Sequence, residues 1–280
     1  MLSYRHGFHA GNHADVLKHW LLTLCLQYLI RKDKPLYYLD THAGAGSYDL
    51  RAATAARTGE AALGIGRLQG QDLPAGLAAY RELVVADAAQ GLRYYPGSPQ
   101  LAARLLRPQD RLRLLELHPT ELTQLRKRLG SDPRVKILDG DGFTLLKGLL
   151  PPPSRRGLVL LDPSYELKDD YRRVQDTLRQ GLERFATGVY LLWYPLLNLA
   201  PCRRLSQQLE KLPAAQWLQV QLQVQQPPAG HGMYGSGVFI INPPWTLRAQ
   251  LEQELPVLLS LLAQDDSAQW RLWGSELGSK

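Results

Sequence analysis

The sequence predicts an α/β protein built around a mostly parallel sheet, and three observations carry that prediction. Short apolar runs alternate with helical patterns along most of the chain. The central runs, LVLL at 158–161 and YLLWY at 190–194, are apolar without a break, as in strands covered on both faces. The first run ends in a Gly-x-Gly loop, and in open α/β sheets the ligand sits at the carboxyl ends of the strands.

The elements follow in order. Residues 1–35 form an arm and a helix (15–32, DVLKHWLLTLCLQYLIRK) ahead of the first strand. That strand, LYYLD at 36–40, is preceded by Pro35 and closed by the glycine loop. The next strand, RLRLLEL, begins only at 111. The intervening 48–109 is too long for one crossover, is rich in Ala, Leu and Arg, and has helical spacing. Structureless loops of that length are rare in compact domains, so it reads as an inserted helical subdomain. The chain then divides into a main domain, 1–47 with 110–280, and the insert, 48–109. Helix 119–130, strand 135–141, helix 143–150, strand 157–165, helix 169–186, strand 188–195 and helix 202–212 continue the alternation. Strands 218–224 and 237–245 end it, while 151–153 and the glycine-rich 225–237 read as turns or loops.

Composition bounds the function. Of 280 residues, 45% are hydrophobic and 21% charged, enough for a full core, which excludes extended disorder. Lys and Arg outnumber Asp and Glu 33 to 26, a net charge of +7, which favours polyanions and nucleic acid first among them. Spread evenly, the same excess is only a soluble surface. Cys25 and Cys202 lie in no C-x-x-C and read as reduced, buried thiols of a cytoplasmic protein. The polar, histidine-rich N-terminus lacks the apolar segment of a signal peptide. No run approaches the roughly 20 residues that cross a bilayer, so no membrane partner is expected.

The glycine loop is Asp40-Thr41-His42-Ala43-Gly44-Ala45-Gly46. It lets backbone approach a ligand, but Asp49 stands where a dinucleotide fingerprint has its third glycine. A second Gly-x-Gly, Gly64-Ile65-Gly66, follows no strand. Glu116 ends the second strand, where a carboxylate hydrogen-bonds ribose hydroxyls; the insert explains its distance from the loop. The third ends Asp139-Gly140-Asp141-Gly142, where an acid could reach an adenine amine while glycine keeps the pocket open. No Lys-Ser/Thr of a phosphate loop is present. Such a set suits a nucleoside without phosphate, and S-adenosylmethionine fits.

The fourth strand ends Asp162-Pro163-Ser164-Tyr165. The lone pair of an exocyclic amine on a base is conjugated into the ring. A carboxylate and a rigidly held prolyl carbonyl that accept both N–H groups favour the pyramidal, nucleophilic amine. An aromatic two residues on would stack on the base. In-line methyl transfer then needs positioning rather than metal. This matches the D/N-P-P-Y/F/W motif of amino-methyltransferases, except that Ser164 replaces the second proline, which would loosen the turn. A rival, Asn242-Pro243-Pro244-Trp245, is more literal. It is set aside because the fourth strand should lie beside the first, next to the cofactor's reactive end, and the last strands further out.

The arm, Tyr4 to His19, is dense in polar groups. His9 and His13 have i, i+4 spacing but no third ligand, so no metal is expected. Taken with THAGAG, YYPGSP (94–99), ELHP, DGF and the fourth-strand corner, the arm closely resembles the RlmJ family. These are S-adenosylmethionine-dependent methyltransferases of adenine N6 in bacterial 23S ribosomal RNA. The likeness runs through nearly the whole chain and weakens after about residue 247. It implies a Rossmann-like methyltransferase fold with a helical insert, acting as a monomer on protein-free rRNA. By position it implies cofactor contacts from His19, His42, Ser98, Glu116, Asp141, Gly142 and Asp162. Asp162 would also be the catalytic acceptor, with Pro163 and Tyr165, and Tyr4 would touch the RNA. Among the basic residues, Arg5, Lys18 and the 226–237 loop are expected near RNA, and Arg203 and Arg204 as solvated helix charges. Two rival readings stay open: a DNA adenine-N6 methyltransferase, and a non-catalytic RNA-binding protein on a methyltransferase fold.

Overall fold

A computed structural model describes residues 6–86, 92–230 and 232–275. A short 3-10 turn, His6–Phe8, leads into α1 (His13–Leu29), capped by the Asn12 carboxamide, which accepts from the Ala14 and Asp15 amides. Strand β1 (Tyr37–Asp40) follows, and then β2 (Ser47–Asp49), α2 (Ala53–Thr58), α3 (Glu60–Leu63), α4 (Ala75–Val85), β3 (Tyr94–Pro96) and α5 (Ser98–Leu105). From there strands and helices alternate: β4 (Arg111–Glu116), α6 (Pro119–Leu129), β5 (Val135–Asp139), α7 (Gly142–Leu149), β6 (Gly157–Leu161), α8 (Asp170–Arg184), β7 (Val189–Leu197) and α9 (Ala200–Leu209). The chain closes with β8 (Trp217–Gln223), β9 (Met233–Ile241), α10 (Leu247–Leu262) and β10 (Gln269–Gly274).

The main sheet has the order β10-β8-β9-β7-β6-β1-β4-β5. Strands β5, β4, β1, β6 and β7 are parallel, and β9 inserts antiparallel between β7 and β8. This is the Rossmann-like order of methyltransferases, with β1 at the point where the order reverses. Strand β6 is buried at all five positions, as its unbroken apolar run requires. Leu158 and Leu160 pack on one side with α1, α5 and α10, and Val159 and Leu161 on the other with α7, α8 and α9.

Some elements depart from the sequence reading. Stretch 48–109 is not wholly helical: β2 and β3 form a small antiparallel sheet, and α5 packs back on β1 and β4 as their crossover helix. Ile65, Leu77 and Tyr80 join the same apolar cluster as Trp20 and Leu21 of α1. Strand β9 begins at Met233, inside the glycine-rich stretch read as loop. Its glycines serve packing: a Cβ on Gly237 would run into the Tyr194 ring. Helix α10 and strand β10 extend the sheet beyond the predicted end, where the sequence reading had placed nothing.

Candidate active site

A cleft of about 560 Å³ opens at the carboxyl ends of β1, β4, β5 and β6. Its floor is backbone. Gly44 and Gly46 sit at φ 61° and 80°, which side chains rarely adopt. The Gly44 amide donates to Glu116 Oε2 at 2.7 Å, tying the loop to the end of β4. A Cβ on Gly142 would overlap the Thr41 carbonyl oxygen, so α7 can begin this close to the loop only with glycine there.

The carboxylates around this floor differ in state. Asp40 is fully buried and accepts from Tyr38 Oη (2.6 Å), Ser98 Oγ (2.7 Å) and the His42 amide; burial pushes its carboxyl up to about 6 against those donors. Glu116 also accepts from the His118 amide at 2.6 Å, and burial raises its pKa. Asp141 caps α7 through the Phe143 amide. Burial opposes its charge, but the Thr144 hydroxyl and the Arg173 guanidinium outweigh that and hold it below the usual carboxylate range. His42 lies edge-on to Phe143, its centroid 4.8 Å away, and burial pushes the imidazole down to about 4.

The fourth-strand corner forms the opposite wall. Asp162, Pro163, Ser164 and Tyr165 all line the cleft. Tyr165 adopts φ 54°, a costly conformation for an aromatic residue, and its hydroxyl donates to the Trp193 carbonyl at 2.9 Å. Its ring packs beside Tyr171 and Trp193, leaving it only 8% exposed. Tyr165 thus lines the cleft and also anchors the turn to β7.

A buried charge network converges on Asp162. Lys18 Nζ lies 2.5 Å from Asp162 Oδ2 and 2.9 Å from Asp15 Oδ1, below the Trp193 ring at 5.6 Å from its centroid. Asp15 Oδ2 accepts from His6 Nε2 and the Gly11 amide, both at 2.9 Å. Burial opposes charge on Asp15, but His6, Lys18 and His19 outweigh it and keep the carboxylate ionised. Burial likewise opposes the ammonium of Lys18, and the two carboxylates outweigh it. His19 hydrogen-bonds Tyr95 Oη through Nδ1 at 2.7 Å, and burial pushes it down to about 3, so it is neutral.

The structure thus gathers His19, His42, Ser98, Glu116, Asp141, Gly142, Asp162, Pro163 and Tyr165 around one cleft. Lys18, expected near RNA, lines the cleft but is 3% exposed, and its ammonium pairs with Asp15 and Asp162. Tyr4 and Arg5 lie outside the described residues. Arg173 is held by Asp141, and Arg156 by the Leu29 and Lys34 carbonyls. Sequence reasoning missed Asp15, His6, Asp40 and Trp193 as members of the site. The signal for the first was present: Asp15, Lys18 and His19 fall at i, i+3 and i+4 on one face of an otherwise apolar helix. Asn242 lies elsewhere. Strand β9 runs antiparallel, so Asn242 sits at the opposite rim, donating to the Ala186 and Gly188 carbonyls. Among the described residues no cluster of three or more His, Cys, Asp or Glu could hold a metal ion.

The strand order and a cleft of this make define the class: a Rossmann-like methyltransferase. Residues 33–274 match the family model for ribosomal RNA large subunit methyltransferase RlmJ. The chain is 50% identical to ribosomal RNA large subunit methyltransferase J of Escherichia coli K12 over 264 residues, 94% of each protein. It is 46% identical to the Haemophilus influenzae protein of the same name over 273 residues, 96% of this chain and 97% of the relative. A solved structure, protein LPL1258 of Legionella pneumophila, superposes with a TM-score of 0.88 at 38% identity, covering 96% of this chain and 99% of that one. The chain belongs to the RlmJ family.

Proposed function

We propose that this enzyme transfers a methyl group from S-adenosylmethionine to N6 of an unpaired adenine in protein-free 23S ribosomal RNA. One observation carries the chemistry: Asp162, paired with Lys18, stands at the tip of β6 and lines the cleft. The family and the names of the relatives, large-subunit rRNA methyltransferases, support the RNA substrate.

The cleft suits the cofactor. Its volume is in the range of small-molecule sites, and its glycine floor admits close backbone approach where a Cβ would clash. Glu116 would hold the ribose, Asp141 the adenine amine, and His19, His42 and Ser98 the walls. When bound, S-adenosylmethionine supplies an electrophilic methyl on a sulfonium. Asp162 Oδ and the Pro163 carbonyl would accept the two N6–H bonds, turning the amine lone pair towards that carbon. Lys18 fixes the position of the Asp162 carboxylate by an ion pair, Asp15 holds Lys18, and His6 holds Asp15. The adenine must leave its stack to reach this depth. This reading includes a monomer working in the cytoplasm. It also retains the division into a methyltransferase domain, 1–47 with 110–280, and an insert, 48–109. Among the described residues no helix is long and apolar enough to cross a membrane.

The test is transfer of labelled methyl to protein-free 23S rRNA and to duplex DNA, with digestion to nucleosides. N6-methyladenosine from RNA alone, lost in Asp162→Ala, is the expected result. Transfer to DNA alone would refute the RNA substrate, and binding of S-adenosylmethionine with no transfer to either would refute catalysis.

A further inference from the structure

The sheet is covered unevenly. On the side of α7, α8 and α9, helix α9 packs on β7, and the outer strands β8 and β10 carry polar side chains instead of a helix. Alternation decides this face. Leu218, Val220 and Leu222 of β8 are buried in the α1/α10 core, so Gln221 and Gln223 project to the other side. Opposite them in register stand Arg271 (with Gln221) and Gln269 (with Gln223), and Trp273 continues the same row. Between this row and α9 lies a groove of about 430 Å³, lined by Arg203, Gln221, Gln223, Tyr234, Arg271 and Trp273 among others.

Three features identify its occupant. The first is charge. Arg203 and Arg271 are exposed; Arg203 donates to the Asn198 carboxamide oxygen at 2.6 Å, and among the described residues neither is paired with a carboxylate. The acidic side chain in the groove, Glu210, accepts the Trp273 indole N–H at 3.0 Å. The second is chemistry: two guanidinium groups, the Trp273 ring with Arg271 5.4 Å from its centroid, and two carboxamides whose N–H groups already donate to Tyr194 Oη and the Ser267 carbonyl, so that Gln221 offers its oxygen. Such a mixture tracks phosphates, meets base edges and stacks on base faces, as single-stranded RNA sites do. The third is continuity. Met233 and Leu197 line the methyl-transfer cleft, while their chain neighbours Tyr234 and Leu196 line the groove. Only the tips of β7 and β9 separate the two.

We propose that this groove holds the RNA strand leading away from the target adenine. The inference rests on the RNA-methyltransferase reading above and names the surface that reading needs, since the cleft must hold both the cofactor and the target base. It also reassigns Arg203 from a solvated helix charge to a phosphate contact.

The test compares wild type with Arg203→Glu/Arg271→Glu, checked for an unchanged thermal midpoint. Steady-state methylation is measured on a protein-free 23S rRNA fragment across a salt series. The expected result is a KM for RNA raised at least tenfold, with kcat and the KM for S-adenosylmethionine unchanged. The slope of log kcat/KM against log salt should shrink by about 1 to 1.5, the loss of two phosphate contacts on a single strand. Trp273→Phe keeps an aromatic platform and should retain near-wild-type KM, and ultraviolet crosslinking of bound RNA should map to 269–273. An unchanged KM and slope in the Arg variant overturns the groove, as does sedimentation showing a wild-type dimer that the variant loses. If wild type itself fails to methylate the RNA, the underlying reading fails instead, which separates the two.

Discussion

Lys18 gives the sharpest prediction, because its charge has no route to function except through its neighbours. Its ammonium sits 2.5 Å from Asp162, with side-chain exposures of 4% and 14%. At that distance and an effective dielectric near 20, the Coulomb attraction is about 7 kcal/mol. Desolvation consumes much of it, and couplings measured for close charge pairs fall between about 1.5 and 7 kcal/mol. A coupling of about 2–4 kcal/mol between Lys18 and Asp162 is therefore expected. Lys18→Met preserves the bulk of the stem and removes the charge, leaving two carboxylates to share one buried pocket. It should lower kcat/KM by about 30- to 900-fold and cost about 3–5 kcal/mol of stability. Asp162→Asn keeps one acceptor oxygen but loses charge, and charged hydrogen bonds are about twice as strong as neutral ones; a loss of about 10- to 100-fold is expected. The assay is transfer of labelled methyl to an unmodified rRNA fragment, well below the melting range of the weakest variant. If Lys18 acts through the carboxylate, the double variant should be no worse than about the poorer single one. Losses that multiply would refute the reasoning, and so would a Lys18→Met enzyme with near-wild-type kcat/KM.

The remaining predictions test other parts of the frame. Asn242→Ala loses two hydrogen bonds, to Ala186 and Gly188, at a residue with φ 52°; it should destabilise by about 2–3 kcal/mol in urea melts with kcat unchanged. Loss of transfer without loss of stability would move the chemistry to that rim. Gly142→Ala places a methyl against the Thr41 carbonyl and should weaken S-adenosylmethionine binding about tenfold or more by calorimetry; equal affinity would show that the floor yields. The arm is tied to the insert by His9 and Glu60, 3.0 Å apart. The hydrogen bond to Glu60 raises the His9 pKa, so its contribution to stability is present below about 6.5 and is lost as pH rises through the higher folded value. Against burial, His9 and Asn12 lower the pKa of Glu60, whose contribution is present above about 4.3 and is lost as pH falls through the folded value. Glu60→Gln should thus lower the thermal midpoint more at pH 6 than at pH 8, and an equal deficit at both would refute the pair.

How much of this was legible in the sequence depends on how local the cause is. Apolar runs placed β1, β4, β5, β6 and β7 along the chain, and the strand-end residues Glu116, Asp141 and Asp162 converge because parallel strands end at one rim. Short β2 and β3 and the outer β10 escaped, since three to six residues with mixed exposure carry no period. The burial of Lys18 escaped for a different reason. A lysine on a helix is exposed by default, and what reverses this is Asp162, 144 residues away. Non-local charge pairing leaves no trace in a window of neighbouring residues.

The same distinction bears on Ser164. In the sequence, a missing second proline removes the rigidity that the catalytic turn should need. In the structure the turn is held from outside its own four residues. Lys18 fixes Asp162 from α1, and the Trp193 carbonyl fixes Tyr165 from β7, across the strand pairing that joins β6 to β7. Pro163 still restricts the carbonyl that follows the acid. These tertiary contacts supply rigidity from outside the turn, so Ser164→Pro is expected to change kcat little. A turn pinned at both ends tolerates a serine in its middle.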